Sequence, residues 1–171
     1  LSSENFKRPS INILYEIIYN NFSNLIDDLT DKKDIKINIF GNKDNLPSKI
    51  LKIFERAENL TKNNKYFNLN IAFNYGFRDE IKYVLENFKN NFETFNLEDS
   101  NKIRSLFYLG NIPDPDILIR TGGYQRLSNF IMYNLTYTEM FFSETLWPDF
   151  TSDELDQIID KFINIKRTYG L

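Results

Sequence analysis

The stretch IKINIFGNKDNLPSKILKIFERAENLTKNNKYFNLNIAFNYG, residues 35–76, decides the fold. Ile35-Lys36-Ile37-Asn38-Ile39-Phe40 alternates apolar and polar with the period of a strand, and Gly41, Asn42 and Asp44 supply the turn that ends it. Leu46-Pro47-Ser48 opens a helix that sends Ile50, Leu51, Phe54 and Ala57 inward. Phe67, Leu69, Ile71 and Phe73 then alternate with Asn68, Asn70, Ala72 and Asn74 in a second strand. The alternation of strand and helix points to an α/β fold with a mostly parallel sheet flanked by helices, and such sheets bind ligands at the carboxyl ends of their strands.

The same rhythm continues outward. Ile11, Leu14, Ile18, Phe22, Leu25 and Leu29 recur at helical steps behind Pro9 and Ser10, up to a charged stop at residues 31–34. Ile81, Val84, Leu85, Phe88 and Phe92 mark a helix after the second strand, and Ile103, Leu106 and Phe107 a shorter one. Asp116 to Ile119 reads as a compact strand, Phe130 to Leu135 as a short helix and Glu139 to Phe142 as a further buried strand. Thr151-Ser152-Asp153-Glu154 is a capping box before Leu155, Ile158, Ile159 and Phe162. No repeat or boundary interrupts the pattern, so a single domain over residues 1–171 is expected.

The residue inventory is restrictive. The chain holds neither histidine nor cysteine, which excludes Ser-His-Asp and Cys-His catalysis, the usual zinc ligand sets, disulfide scaffolds and iron–sulfur clusters. Any metal must be held by oxygen. The net charge of -3 gives no overall attraction to nucleic acid, and none is expected as a partner, although a local basic pocket escapes that sum. No apolar run reaches about eighteen residues, so no membrane-spanning helix is expected.

The sharpest chemical signal is DILIRTGGYQRLSNF, residues 116–130. A strand ends at Arg120, passes Gly122 and Gly123, and reaches Arg126 and Ser128 ahead of the expected helix. Two permanently charged guanidiniums grip phosphate oxygens bidentately, glycines allow close backbone approach, and a helix start offers unpaired N–H groups. Two arginines and a hydroxyl suit a diphosphate. The plainer alternative is a pair of surface ion pairs around a glycine turn. Glu139, in an otherwise apolar strand, needs a cation, either magnesium on a diphosphate or a neighbouring arginine. Ser2, Asn5, Phe6 and Arg8 set polar groups beside an apolar surface before the first helix, and an ordinary capping loop would use the same residues.

Taken together, Ser2 to Pro9 (SSENFKRP), GNKDNLP at 41–47, Asn74-Tyr75-Gly76, PDILIRTGG at 115–123, Arg126-x-Ser128-Asn129-Phe130, Glu139 and LWPDF at 146–150 resemble the cis-prenyltransferases, with undecaprenyl diphosphate synthase as the familiar bacterial member. The resemblance covers nearly the whole chain, and its block from Pro115 to Phe150 is highly specific. It implies that isopentenyl diphosphate is condensed onto an allylic diphosphate, that diphosphate leaves, and that each new double bond is cis. Arg120, Arg126 and Ser128 would then bind the diphosphate of isopentenyl diphosphate, and Glu139 would help hold Mg²⁺. Asn5 and Ser2 would assist proton removal or positioning, with Arg8 and Phe6 in the substrate site. A homodimer, in the cytoplasm or peripheral on a membrane through its lipid product, is the implied state. The aromatic-rich inward faces, Phe67 included, would line an apolar tunnel or serve as plain core.

Some features depart from the family pattern. Its first strand and Asp-Gly-Asn-Gly-Arg loop are not in this sequence, so a fragment or processed piece with little activity alone is expected, from a protein longer by about thirty residues or more. Phe6 stands where Trp is usual, Asn12 where Glu is frequent, Phe77 where a second Gly is common, and Tyr124-Gln125 where Glu-His is frequent. The tail Lys166-Arg167-Thr168-Tyr169-Gly170 resembles an Arg-rich segment that reaches a partner subunit, with Thr168 in place of an expected Arg. A non-catalytic partner subunit of a heteromeric enzyme is the competing reading, and retention of Arg120, Arg126, Ser128 and Glu139 argues against it. A generic phosphate-binding module is the third.

Overall fold

A computed structural model describes residues 1–31, 34–44, 46–90 and 96–168. The side chains of Leu25 and Leu29, the expected helical positions at Phe92, and Tyr169 and Gly170 of the tail lie outside what it describes. The chain divides into two compact units, Leu1–Phe95 and Asn96–Leu171.

The first unit contains α1 (Ile11–Asp31), β1 (Ile35–Phe40), α2 (Ser48–Thr61), β2 (Phe67–Ala72) and α3 (Phe77–Asn90). β1 and β2 pair in parallel from Ile35 opposite Phe67 to Phe40 opposite Ala72. This is the βαβ arrangement that the alternation implied. Ile26, Ile37, Ile39, Ile50, Ile53, Phe54, Ala57 and Phe73 form the core, with Phe54 and Phe73 packed edge to face at 4.8 Å between ring centres. Tertiary packing also closes the outer edge of β1. The Thr61 hydroxyl accepts a hydrogen bond from the Ile37 N–H at 3.0 Å, and the Glu58 carboxylate accepts from the Ile39 N–H at 2.8 Å. Side chains of α2 thus occupy backbone donors that an open edge strand would present to another chain.

The second unit contains α4 (Ser100–Ser105), β3 (Ile117–Arg120), β4 (Glu139–Phe142) and α5 (Ser152–Ile163). β3 and β4 are parallel, with Arg120 opposite Phe142. Asp99 caps α4 by accepting from the N–H groups of Asn101 and Lys102, and Thr151 caps α5 by accepting from Glu154. Before β3, Arg104 holds Asp114 through its two terminal guanidinium nitrogens, at 2.7 and 3.2 Å, and donates to the carbonyls of Gly110 and Ile112. The buried Asn134 amide adds a bond to Asp114 at 2.9 Å.

Among the described residues the strands form two parallel pairs, β1 with β2 and β3 with β4, in the α/β arrangement that the sequence implied. Two expectations need correction. The helix expected over Phe130 to Leu135 is reduced to a 3-10 turn at Tyr133–Leu135, because Asn134 turns into the Asp114 network and Phe107 stacks on Tyr133 at 3.9 Å. Phe67 is 58% exposed at the start of β2, so it is not plain core.

Candidate functional site

In the second unit the chain leaves β3 at Arg120 and continues beside β4. The Ser143 N–H donates to the Arg120 carbonyl at 2.8 Å, while the N–H groups of Gly122 and Gly123 donate to Thr145 and Ser143 at 2.9 Å each. Those glycine donors are therefore committed to the backbone and do not serve an anion. Both glycines adopt positive φ, 89° and 76°, which a side chain would strain, and the resulting bend turns the loop back across the end of β3. Ser128 and Asn129 also sit in the left-handed region, at φ 48° and 59°.

The bend gathers the side chains singled out in the sequence. Arg120 Nη1 donates to Ser128 Oγ at 2.9 Å and to the Arg126 carbonyl. Arg126 Nε donates to the same Ser128 oxygen at 3.1 Å. Two guanidiniums thus converge on one hydroxyl, which leaves the Ser128 O–H free to donate. Neither guanidinium has a carboxylate partner among the described residues, against the ion-pair alternative. Tyr124 stands over both, its ring centre 4.2 Å from the Arg126 guanidinium carbon and 5.8 Å from that of Arg120. The expected helix start is absent from this loop, so the positive charge comes from side chains alone.

Glu139 opens β4 opposite Ile117, three residue pairs before Arg120 and Phe142, or about 10 Å along the strands. It is not part of the arginine cluster. Its carboxylate is half-buried and forms no hydrogen bond or ion pair among the described residues, against the alternative of an arginine partner. No three acidic groups gather there or elsewhere in the described residues. A hard cation held by one carboxylate and by substrate oxygens fits that arrangement better than a cage of protein ligands. In the tail, Arg167 is engaged within its own unit by an ion pair to Asp116 and a 3.1 Å hydrogen bond to the Tyr137 carbonyl.

In the first unit, residues 1–3 lie along the end of β2 as a short parallel bridge. The Ser3 N–H donates to the Tyr75 carbonyl at 2.9 Å, and the Tyr75 N–H donates to the Leu1 carbonyl at 3.1 Å. This places Ser2 at the carboxyl ends of the strands, with Asn5 following in a 3-10 turn whose N–H donates to the Ser2 carbonyl at 3.0 Å. Phe6 packs edge-on against Phe73 at 5.2 Å and so joins the core edge. Arg8 is exposed. Asn42 and Asn74 bind each other across the two strand ends, at 2.9 and 3.2 Å. Gly41 makes that closure: at φ 123°, a Cβ there would lie 2.0 Å from the Phe73 carbonyl oxygen.

The sequence reasoning missed Tyr124 as a contributor. Its only local signal was an aromatic residue between a double glycine and an arginine. The Asn42–Asn74 bridge was not read from the sequence, where Asn42 is a turn residue and Asn74 the end of the second strand.

A parallel α/β fold whose strand end carries two guanidiniums without carboxylate partners among the described residues has the chemistry to receive a phosphorylated ligand. The comparisons narrow this. Residues 1–170 match the family model Prenyltransf, described as "Putative undecaprenyl diphosphate synthase", and the chain belongs to that family. It is 35% identical over 99% of its length to an isoprenyl transferase of Fusobacterium nucleatum, covering 73% of that protein. It is 38% identical to a tritrans,polycis-undecaprenyl-diphosphate synthase (geranylgeranyl-diphosphate specific) of Pyrococcus furiosus, covering 99% of this chain and 67% of that one. Among solved structures, lavandulyl diphosphate synthase from Lavandula x intermedia in complex with dimethylallyl diphosphate superposes with a TM-score of 0.88. That match is 27% identical and covers 100% of this chain and 76% of the other.

Proposed function

We propose that the chain serves cis-prenyl transfer, in which isopentenyl diphosphate is condensed onto an allylic diphosphate to give a polyprenyl diphosphate. The observation that carries this reading is the convergence of Arg120 and Arg126 on Ser128 at the carboxyl end of β3. In the reaction the allylic C–O bond breaks and diphosphate leaves. The terminal alkene carbon of isopentenyl diphosphate bonds to the allylic carbon, and a proton is lost to form the new cis double bond.

Arg120, Arg126 and Ser128 hold the diphosphate of isopentenyl diphosphate and fix the reach of its alkene, so their contribution is positioning and charge neutralisation. Ser2 and Asn5, at the strand ends of the first unit, are assigned to proton removal or orientation of the reacting carbons. Phe6 supplies an apolar wall and Arg8 a cation for substrate. Glu139 contributes the protein carboxylate for Mg²⁺, which when bound neutralises charge developing on diphosphate oxygens. The homodimer and a peripheral membrane association through the lipid product belong to the same proposal. No helix among the described residues is long and apolar enough to cross a membrane.

Calorimetric titration with isopentenyl diphosphate, inorganic diphosphate and inorganic phosphate tests the reading. Isopentenyl diphosphate should bind more tightly than inorganic diphosphate, and phosphate least. Equal affinity for the first two would favour a generic phosphate module.

A further inference from the structure

We propose that Tyr124 is a positioning residue that holds the Arg120 and Arg126 guanidiniums in binding geometry through the face of its ring. The proposal rests on the diphosphate reading of this cluster and adds to it a residue that does not itself need to touch the ligand. Tyr124 is 55% exposed, so core burial does not explain its placement. Its ring centre lies 4.2 Å from one guanidinium carbon and 5.8 Å from the other, within the range at which an aromatic face attracts a cation.

The electrostatics give this contact a purpose. Two guanidiniums that share one hydroxyl oxygen repel each other, and no carboxylate offsets them among the described residues. An aromatic face stabilises cations while carrying no net charge. The two positive charges therefore stay available, and two long side chains are ordered before the ligand arrives. Ordering in advance lowers the entropy cost of binding.

The test is calorimetric titration of the full chain with inorganic diphosphate, comparing wild type, Tyr124→Phe, Tyr124→Leu and Arg126→Ala. Tyr124→Phe should bind within about twofold of wild type, and Tyr124→Leu roughly five- to tenfold more weakly. Tyr124→Gln repeats the test should the leucine variant fail to fold. Wild-type affinity in Tyr124→Leu together with weakened binding in Arg126→Ala would overturn the role of Tyr124 and leave the diphosphate reading intact. Equal weakening in Tyr124→Phe and Tyr124→Leu would assign the effect to the hydroxyl and overturn the ring-face role. Unchanged binding in Arg126→Ala, or no binding by wild type, would overturn the diphosphate reading itself.

Discussion

Arg120→Ala should weaken isopentenyl diphosphate binding without weakening the fold. The substitution removes the Nη1 donor that meets Ser128 at 2.9 Å and one of the two uncompensated charges, while β3 keeps its backbone bond from Ser143 to the residue 120 carbonyl at 2.8 Å. A hydrogen bond to a charged group is worth about 1.5–3 kcal/mol, equivalent to roughly ten- to a hundredfold in affinity. Arg120 is only half-buried and Arg126 and Ser128 are exposed, so solvent screening sets the expectation near the lower end, about tenfold. Arg126 retains its 3.1 Å bond to Ser128, which should leave residual binding. Arg120→Lys keeps the charge but loses the planar fork and should fall between wild type and alanine. Calorimetric titration reads the affinity, and urea unfolding of the same preparations reads the fold. An unchanged dissociation constant for a folded Arg120→Ala chain would refute the reasoning.

Gly41→Ala should destabilise the chain by about 3 kcal/mol, because the new methyl meets the Phe73 carbonyl at 2.0 Å from a backbone at φ 123°; an unshifted urea midpoint would contradict this. Arg104 holds the Asp114 carboxyl below its ordinary pKa of 3.8, so this pair stabilises the fold above that value and the contribution fades as pH falls through the lowered pKa. Asp114 is 41% exposed, which limits the effect to less than about 1 kcal/mol. The stability gap between wild type and Asp114→Asn should therefore be present at pH 7 and pH 5 and close toward pH 2; a gap constant with pH would be contrary. Glu139→Gln should raise the magnesium concentration needed for half-maximal prenyl transfer by the complete protein on the order of tenfold, and an unchanged requirement would remove Glu139 from the metal site.

The parts of the fold that were legible in sequence are those governed by local periodicity. Ile35 to Phe40 alternates because one face, Ile37 and Ile39, meets the core, and Ile50, Phe54 and Ala57 recur at helical steps for the same reason. What depends on distant partners was not legible. The segment before Leu135 has helical composition, yet Asn134 is drawn to Asp114, twenty residues earlier, and the helix shrinks to one turn. Thr61 and Glu58 look like ordinary helix positions and become the cover of a sheet edge only once α2 lies beside β1. At the site, Arg120, Arg126 and Ser128 stood out because charge and a hydroxyl follow a buried strand and a double glycine. Tyr124 did not stand out, since an aromatic contact with a cation has no sequence period. The helix start expected to offer unpaired N–H groups is absent, and the N–H groups of Gly122 and Gly123 are spent on the carbonyls of Thr145 and Ser143, a backbone detail that residue types do not encode.

Product analysis with labelled isopentenyl diphosphate bears most directly on cis-prenyl transfer. The complete protein, supplied with an allylic diphosphate and magnesium, should yield a labelled polyprenyl diphosphate whose newly added double bonds are cis by nuclear magnetic resonance. Added units with trans double bonds, or no elongation by a folded protein that binds isopentenyl diphosphate, would contradict it.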